Sequence, residues 1–223
     1  MPPTTPTPTD TPLPSWFLFT GQPNSGKTTS VLTTISHLLP LLPPSTYLTG
    51  FTTSEVLSSS STRIGFDVVT IPQNDRGILS RKSGPSHHPK TGAYSVDVEA
   101  FEKLALPTIT LPVDGYVVKR DGSKVKKEDV VYVIDEVGRM ELHSEVFRNR
   151  VNDLLSLGVR LIGAITAPIY GHRVPFCDDL VERGAKSIRV FRIKKSDRDE
   201  VTEEVIQLIA DTWGGGKKRK RES

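Results

Sequence analysis

The segment that decides the fold reads Gly21-Gln22-Pro23-Asn24-Ser25-Gly26-Lys27-Thr28, and it follows an apolar run at residues 16–19. Glycine and lysine at these spacings satisfy the P-loop pattern, in which backbone N–H groups close around phosphates at the start of a helix. Residues 27–39 supply that helix, because apolar side chains recur there at helical spacing. The apolar strand before the motif and the amphipathic helix after it favour a phosphate-binding loop over a simple Gly-Lys turn.

Each position of this loop has an expected role. Lys27 would reach the β and γ phosphates of a nucleotide, and Thr28 would offer its hydroxyl to Mg²⁺. Asn24 stands where many P-loops have glycine, and asparagine is among the few residues that tolerate a positive φ angle. The predicted nucleotide-binding residues are Gly21, Gln22, Pro23, Asn24, Ser25, Gly26, Lys27, Thr28 and Thr29.

Strand-like and helix-like segments alternate along the rest of the chain. The predicted strands are residues 47–51, 52–57, 63–71, 130–134, 161–165 and 188–193, with a hairpin across the serine run at residues 58–61. The predicted helices are residues 98–105 after an Asp97 cap, 145–155 after a Ser144 cap, 176–183 and 198–210. This order predicts an α/β fold of three layers, with a mostly parallel central sheet and ligands at the carboxyl ends of its strands.

Composition divides the 223 residues into one folded domain, residues 15–213, between two segments that we expect to be disordered. Residues 1–14 are rich in proline and threonine, which cannot bury enough apolar surface to offset the entropy of ordering. The single cysteine, Cys177, excludes an internal disulfide and suits a reducing compartment. No apolar run is long enough for a membrane helix, and the N-terminus does not resemble a secretion signal.

The positive charge of the chain is concentrated at its end. Residues 214–223 hold five of the 29 basic residues and one of the 26 acidic ones, so the rest of the chain carries one more acid than base. Such a near-neutral body argues against direct nucleic-acid binding. The cationic run instead predicts a nuclear import receptor as partner, or only a solubilising tail, for a monomer located in the cytoplasm or nucleus. Its residues are Lys217, Lys218, Arg219, Lys220 and Arg221.

An acidic pair, Asp135-Glu136, ends the most strongly β-branched strand of the sequence. At this position of a parallel sheet an aspartate can hold Mg²⁺, directly or through water, so we assign that role to Asp135. Consecutive side chains at a strand end diverge, which leaves Glu136 free to accept a proton from an attacking water. A surface Asp-Glu pair in a loop is the simpler interpretation, but it would not need the apolar strand or the upstream P-loop.

Several further segments resemble the cancer-related nucleoside-triphosphatase family, which is also known from thermophiles. They are residues 50–56, 63–70, 79–81 and 94–107, together with Val133-Ile134-Asp135-Glu136-Val137-Gly138-Arg139-Met140-Glu141-Leu142. The similarity runs in order from about residue 17 to residue 209. It implies a RecA-like P-loop fold and Mg²⁺-dependent hydrolysis of nucleoside triphosphates to diphosphate and phosphate, with little base selectivity.

This chain departs from the family pattern at several places. Asn24 stands where the family usually has glycine, and Arg139 where it usually has lysine. Residues 112–129 form a longer, charged insertion in which Asp121-Gly122 is expected to turn a small hairpin. The proline-rich start and the basic end are also additions.

Charge that develops on the γ-phosphate calls for a cation besides Lys27 and the metal. The candidate arginines are Arg63, Arg81, Arg139 and Arg198. We favour Arg81 and Arg139 as catalytic residues alongside Lys27 and Glu136, and we expect Arg198 to lie near the base. Thr166 ends a strand, where it would sense the γ-phosphate or simply belong to the strand.

Three functions remain open from the sequence. A nucleoside-triphosphate hydrolase is favoured, because Glu136 supplies a carboxylate that can activate water. A kinase acting on a nucleoside or a polynucleotide 5′ end would use the same loop but needs an acceptor pocket. A nucleotide-controlled binding module would turn over slowly and recruit a partner through the insertion or the tail.

Overall fold

The computed structural model describes residues 13–166 and 173–214, and within them it contains eleven strands and five α-helices. The strands are β1 (Trp16–Thr20), β2 (Tyr47–Leu57), β3 (Arg63–Ile71), β4 (Arg76–Arg81), β5 (Lys90–Thr91), β6 (Tyr94–Val96), β7 (Tyr116–Val118), β8 (Lys124–Lys126), β9 (Val130–Val137), β10 (Arg160–Ile165) and β11 (Ile188–Arg192). The helices are α1 (Lys27–Leu38), α2 (Val98–Ala105), α3 (Glu145–Ser156), α4 (Pro175–Arg183) and α5 (Arg198–Trp213).

Nine strands form one central sheet in the order β11-β1-β10-β9-β2-β3-β4-β6-β5. The first five of these are parallel, and the sheet then continues antiparallel from β2 to β5. The parallel strands β1, β9 and β10 therefore end at the same edge, where the loops that follow them meet. Strand β10 lies between β1 and β9, so the P-loop and the acidic pair are one strand apart.

Two layers of helices cover the sheet, as the alternation of side chains along β1 requires. Phe17 and Phe19 point to one face and pack with α1 and α5, whose Trp213 meets Phe17 edge to face. Trp16 and Leu18 point to the other face and pack with α2, α3 and α4. These four of the five β1 side chains are fully buried, so this strand is held firmly beneath the loop that follows it. The three-layer α/β fold predicted from the sequence is confirmed.

Some strands differ from those predicted. The segments 47–51 and 52–57 form one continuous strand, β2, because its first half pairs with β9 and its second half extends along β3. The predicted hairpin across the serine run is confirmed by the antiparallel pairing of β2 with β3. Strands β4, β5 and β6 were not predicted; β5 and β6 have only two or three residues, and β4 has six.

The charged insertion forms the hairpin β7–β8, with Gly122 at a positive φ in the turn. Its Val117 is fully buried, and Lys119 lies 4.8 Å from the centre of the Tyr47 ring. Because Tyr47 is the first residue of β2, the hairpin lies at the amino ends of the parallel strands, opposite the carboxyl ends where the P-loop lies.

Two helices are capped by the residues that the sequence indicated. The Asp97 side chain accepts a hydrogen bond from the backbone N–H of Ala100 at the start of α2, at 3.0 Å. Ser144 Oγ accepts from the N–H of Phe147 at 2.9 Å and donates to Glu102 Oε1 at 2.6 Å. Ser144 therefore both begins α3 and ties that helix to α2.

The N-terminal segment that we expect to be disordered lies almost wholly outside the described residues. The cationic run at Lys217–Arg221 lies wholly outside them, so its interpretation as an import signal stays a prediction. Within the described part of the chain, none of the helices combines the length and the apolar character that crossing a membrane would require.

Replacing Ser144 with alanine should lower the free energy of unfolding by about 1–2 kcal/mol, because a helix cap is lost at a buried position. Urea denaturation measures this change. Ser156→Ala is the matched control, since that hydroxyl is exposed near the end of α3 and should shift the midpoint little. Equal effects of the two substitutions would contradict the capping role of Ser144.

Candidate functional site

The P-loop adopts a backbone conformation that turns its N–H groups inward. Asn24 has φ 62° and Gly26 has φ 94°, both in the left-handed region typical of anion-binding loops, and the Ser25 N–H donates to the Gln22 carbonyl oxygen at 3.1 Å. Helix α1 begins directly afterwards, with no side-chain cap and no acidic residue in its first turn. Its first N–H groups and the positive end of its dipole therefore remain for an anionic ligand.

The ammonium group of Lys27 lies between the loop and the acidic pair. Its Nζ donates to the carbonyl oxygen of Gly21 at 3.3 Å and lies 3.5 Å from Glu136 Oε2. Only 12% of the Lys27 side chain and 28% of the Glu136 side chain are exposed, so solvent screens this ion pair less than a surface pair. The structure thus brings together two residues that are 109 positions apart in the sequence.

Asp135 is fully buried beneath the start of α1. Thr28 Oγ1 donates to its Oδ1 at 3.2 Å, and the backbone N–H of Thr53 donates to its Oδ2 at 3.2 Å. Burial raises the pKa of Asp135 to about 6, although these two hydrogen bonds oppose the rise. A buried carboxylate beside a threonine hydroxyl is the pair of oxygen ligands with which P-loop proteins hold Mg²⁺, so the donor set fits that ion.

Glu136 is held at both carboxylate oxygens. Thr166, at the end of β10, donates its hydroxyl to Oε1 at 2.7 Å, while Lys27 faces Oε2. The strand between β1 and β9 therefore contributes a hydroxyl that fixes the direction of this carboxylate. The sequence suggested Thr166 as a phosphate sensor or a simple strand residue. In the structure its hydroxyl donates a hydrogen bond to Glu136.

A third carboxyl group, Glu141, lies directly behind Glu136. It is buried, and a Cβ atom added to Gly138 would lie 2.9 Å from Glu141 Oε2 and 3.2 Å from Glu136 Cγ. Burial, followed by the negative charge of Glu136, raises the pKa of Glu141 to about 8. Sequence analysis gave this residue no role, although it lies in the segment 133–142 that carries the family resemblance.

The four candidate arginines occupy different places. Arg63 donates to the side-chain oxygen of Asn24 in the P-loop at 3.1 Å. The aliphatic stem of Arg198 lies against Gly26, where an added Cβ would be 2.5 Å from its Cδ. Arg81 instead donates to the carbonyl oxygens of Phe66 and Ser80 and to Asp67.

Arg139 is exposed, and its side chain makes no hydrogen bond or ion pair with any residue that the structure describes. The structure therefore brings Arg63 and Arg198 to the P-loop. Arg81 and Arg139, which the sequence favoured, have no contact with that loop among the described residues.

A cavity of about 320 Å³ opens between the P-loop and the loop that joins β11 to α5. Its volume lies in the range of small-molecule sites. Its lining, as far as the described residues go, contains three cations and no acid: Gln22, Pro23, Asn24, Ser25, Arg192, Ile193, Lys194 and Lys195. The cavity is thus suited to an anionic ligand that extends outward from the loop.

Several known proteins are similar to this chain in sequence. The family model described as NTPase matches residues 16–206. The cancer-related nucleoside-triphosphatase of Homo sapiens is 33% identical over 195 residues, which cover 85% of this chain and 94% of that protein. The nucleoside-triphosphatase THEP1 of Methanothermobacter thermautotrophicus is 32% identical over 198 residues, which cover 89% of this chain and 98% of that protein.

A solved structure is also similar. The crystal structure of THEP1 from the hyperthermophile Aquifex aeolicus superimposes with a TM-score of 0.66 at 26% sequence identity, covering 86% of this chain and 98% of that one. The resemblance inferred from the sequence is confirmed, and the residues matched by the family model, 16–206, include all five parallel strands. This chain therefore belongs to the NTPase family.

Proposed function

We propose that this protein hydrolyses nucleoside 5′-triphosphates to nucleoside diphosphate and phosphate at the site formed by the P-loop, Asp135 and Glu136. One observation carries the proposal. Glu136 lies 3.5 Å from the ammonium group of Lys27, the residue that contacts the β and γ phosphates in P-loop proteins. A carboxylate in that position is close enough to the γ-phosphate to activate the water that attacks it.

Nucleotide binding begins with an exchange of partners at Lys27. The triphosphate enters the ring of loop N–H groups and draws the ammonium group away from Glu136 toward its β and γ oxygens. The Glu136 carboxylate then has one oxygen free, while Thr166 still holds the other. The arriving phosphate thus prepares the base that will act on it.

Hydrolysis then requires a water between Glu136 and the γ-phosphorus. The water oxygen attacks phosphorus, its proton passes to Glu136, and the bond to the β–γ bridging oxygen breaks. The leaving diphosphate stays in the amide ring beside Lys27. Phosphate departs, and Glu136 returns its proton to solvent.

Thr28 and Asp135 would hold Mg²⁺ in this scheme. The bound ion would neutralise charge that develops on the phosphate oxygens. Both residues are already hydrogen-bonded to one another, which places their oxygens side by side at the start of α1.

The lining of the cavity beside the P-loop favours little selectivity among nucleotide bases. Its cations attract phosphate and the polar edges of a base without a fixed donor and acceptor pattern, and the chain has no Asn-Lys-x-Asp motif for reading guanine. Phosphate release from ATP, GTP, CTP and UTP, each with and without Mg²⁺, tests the proposal. A kinase would instead transfer the γ-phosphoryl group to an added nucleoside or DNA end and would release no free phosphate.

Lys27→Ala should weaken triphosphate binding by about 100-fold, because a charge-assisted contact to the phosphates is lost. Titration with a fluorescent, non-hydrolysable ATP analogue measures the affinity. Lys103→Ala removes an exposed lysine of α2 and should leave the affinity unchanged. Native affinity of the Lys27 variant for the analogue would show that the P-loop is not the triphosphate-binding site.

Glu136→Gln should retain triphosphate binding while lowering kcat by roughly 10² to 10⁴, because glutamine cannot accept the proton of the attacking water. Single-turnover phosphate release separates this step from binding. Glu203→Gln, an exposed substitution on α5, is the control for loss of one negative charge. Full activity of the Glu136 variant would exclude this residue as the base.

The scheme also needs Glu141 to be neutral. A second buried anion behind Glu136 would strengthen the attraction that keeps Lys27 paired with Glu136. The pKa of Glu141 in the folded protein, about 8, lies above its ordinary value of 4.5. A raised pKa contributes stability that is complete below about pH 4.5 and is lost as pH rises through about 8.

The free energy of unfolding should therefore fall more steeply between pH 5 and pH 8 in the native protein than in Glu141→Gln, whose amide mimics the neutral acid. Urea denaturation at several pH values gives both curves. Parallel curves for the two proteins would show that Glu141 is ionised in the fold.

A further inference from the structure

Arg63 reaches the P-loop although it belongs to a distant part of the sheet. It begins β3, and the antiparallel pairing of β2 with β3 sets its position. Its Nη2 donates to Asn24 Oδ1 at 3.1 Å and lies 2.8 Å from Glu55 Oε1. Asn24 is itself one of the two left-handed residues that shape the amide ring, so the guanidinium group lies at the rim of that ring.

The contacts of Arg63 leave part of its donor capacity unused. Its Nε is buried, yet it has no hydrogen-bond partner among the residues that the structure describes. Both polar contacts of the guanidinium group involve the same nitrogen, Nη2, and the group's Cζ lies 5.4 Å from the centre of the Phe66 ring. Buried donors without a partner are rare in native proteins, and here the unused donor belongs to a cation beside a phosphate-binding loop.

The partners that hold Arg63 are weak compared with a phosphate group. The Glu55 side chain is 47% exposed, so water screens its attraction for the guanidinium group. The Asn24 amide oxygen is neutral. A γ-phosphate carries more charge than either and presents oxygens in the spacing that a guanidinium fork binds bidentately.

We propose that Arg63 contacts the γ-phosphate and stabilises the charge that develops on it during hydrolysis. The inference rests on the proposed function, and it assigns to Arg63 the part for which the sequence favoured Arg81 and Arg139. As charge develops on the γ-phosphate, the guanidinium group turns from Asn24 and Glu55 to the phosphate oxygens. It donates hydrogen bonds to the phosphate oxygens while the bond to the bridging oxygen breaks.

Arg81 and Arg198 have partners elsewhere, and Arg139 makes no hydrogen bond or ion pair with the P-loop among the described residues. Arg81 donates to two carbonyl oxygens and to Asp67, so its fork joins strands β3 and β4. Arg198 forms an ion pair with Asp199, and its stem packs on Gly26 beside the cavity. That position suits the nucleoside end of the ligand.

Arg63→Ala and Arg63→Lys test this assignment. Arg63→Ala should lower kcat by about 10³-fold, the smaller end of the range for a transition-state arginine. Its affinity for a non-hydrolysable ATP analogue should stay within a few-fold of native. Trapping of ADP with aluminium fluoride, which mimics the transferring phosphoryl group, should be lost. Arg63→Lys should recover only a small part of kcat, because lysine is a point donor without the planar fork.

Arg76→Ala is the matched control. This arginine lies on β4 of the same sheet and forms an ion pair with Asp67, but it is exposed and has no contact with the P-loop among the described residues. It should keep native kcat and native trapping. Urea denaturation of all three variants identifies any loss of folding.

Two results would overturn the assignment while leaving the proposed function intact. One is Arg63→Ala with kcat within tenfold of native and normal trapping of ADP with aluminium fluoride. The other is a parallel loss of stability, analogue affinity and kcat, which would mean that Arg63 only fastens the β2–β3 hairpin to the P-loop. Native protein that releases no phosphate would instead refute the proposed function, and the assignment with it.

Discussion

The ion pair between Lys27 and Glu136 depends on the order of the central sheet. Lys27 follows β1 and Glu136 lies in β9, and both strands end at one edge with β10 between them. That intervening strand leaves room between the P-loop and the acidic pair, and its terminal Thr166 orients the carboxylate. Each charge compensates the other in the nucleotide-free protein. In the proposed mechanism a triphosphate disrupts this balance, because it offers Lys27 a partner of higher charge and releases Glu136.

Three carboxyl groups lie close together beneath the P-loop, and the fold accommodates each one differently. Asp135 receives hydrogen bonds from Thr28 and Thr53, which partly offset its burial. Glu136 faces a cation. Burial and the charge of Glu136 raise the pKa of Glu141 to about 8, which favours its neutral form. This arrangement limits the negative charge at a site whose ligand is itself an anion.

The sequence predicted the parts of the site that depend on local pattern. The P-loop is recognisable because its glycines and Lys27 lie at fixed spacings within one short segment. Asp135 and Glu136 are recognisable because they end an apolar strand. The arginines could not be assigned in the same way. Whether Arg63 or Arg81 meets the P-loop depends on the register of β2, β3 and β4, which brings Asp67 to Arg81 and Asn24 to Arg63. Periodicity within one segment contains no information about such register. The short strands β5 and β6 escaped prediction for a related reason, since their pairing rather than their composition makes them strands.

A crystal structure with Mg²⁺ and a non-hydrolysable triphosphate tests the central claim most directly. The account predicts that Lys27 Nζ leaves Glu136 for the β and γ oxygens, with a water between the Glu136 carboxylate and the γ-phosphorus. A triphosphate bound outside the ring of N–H groups, or a Lys27 that stays paired with Glu136 in the complex, would contradict it.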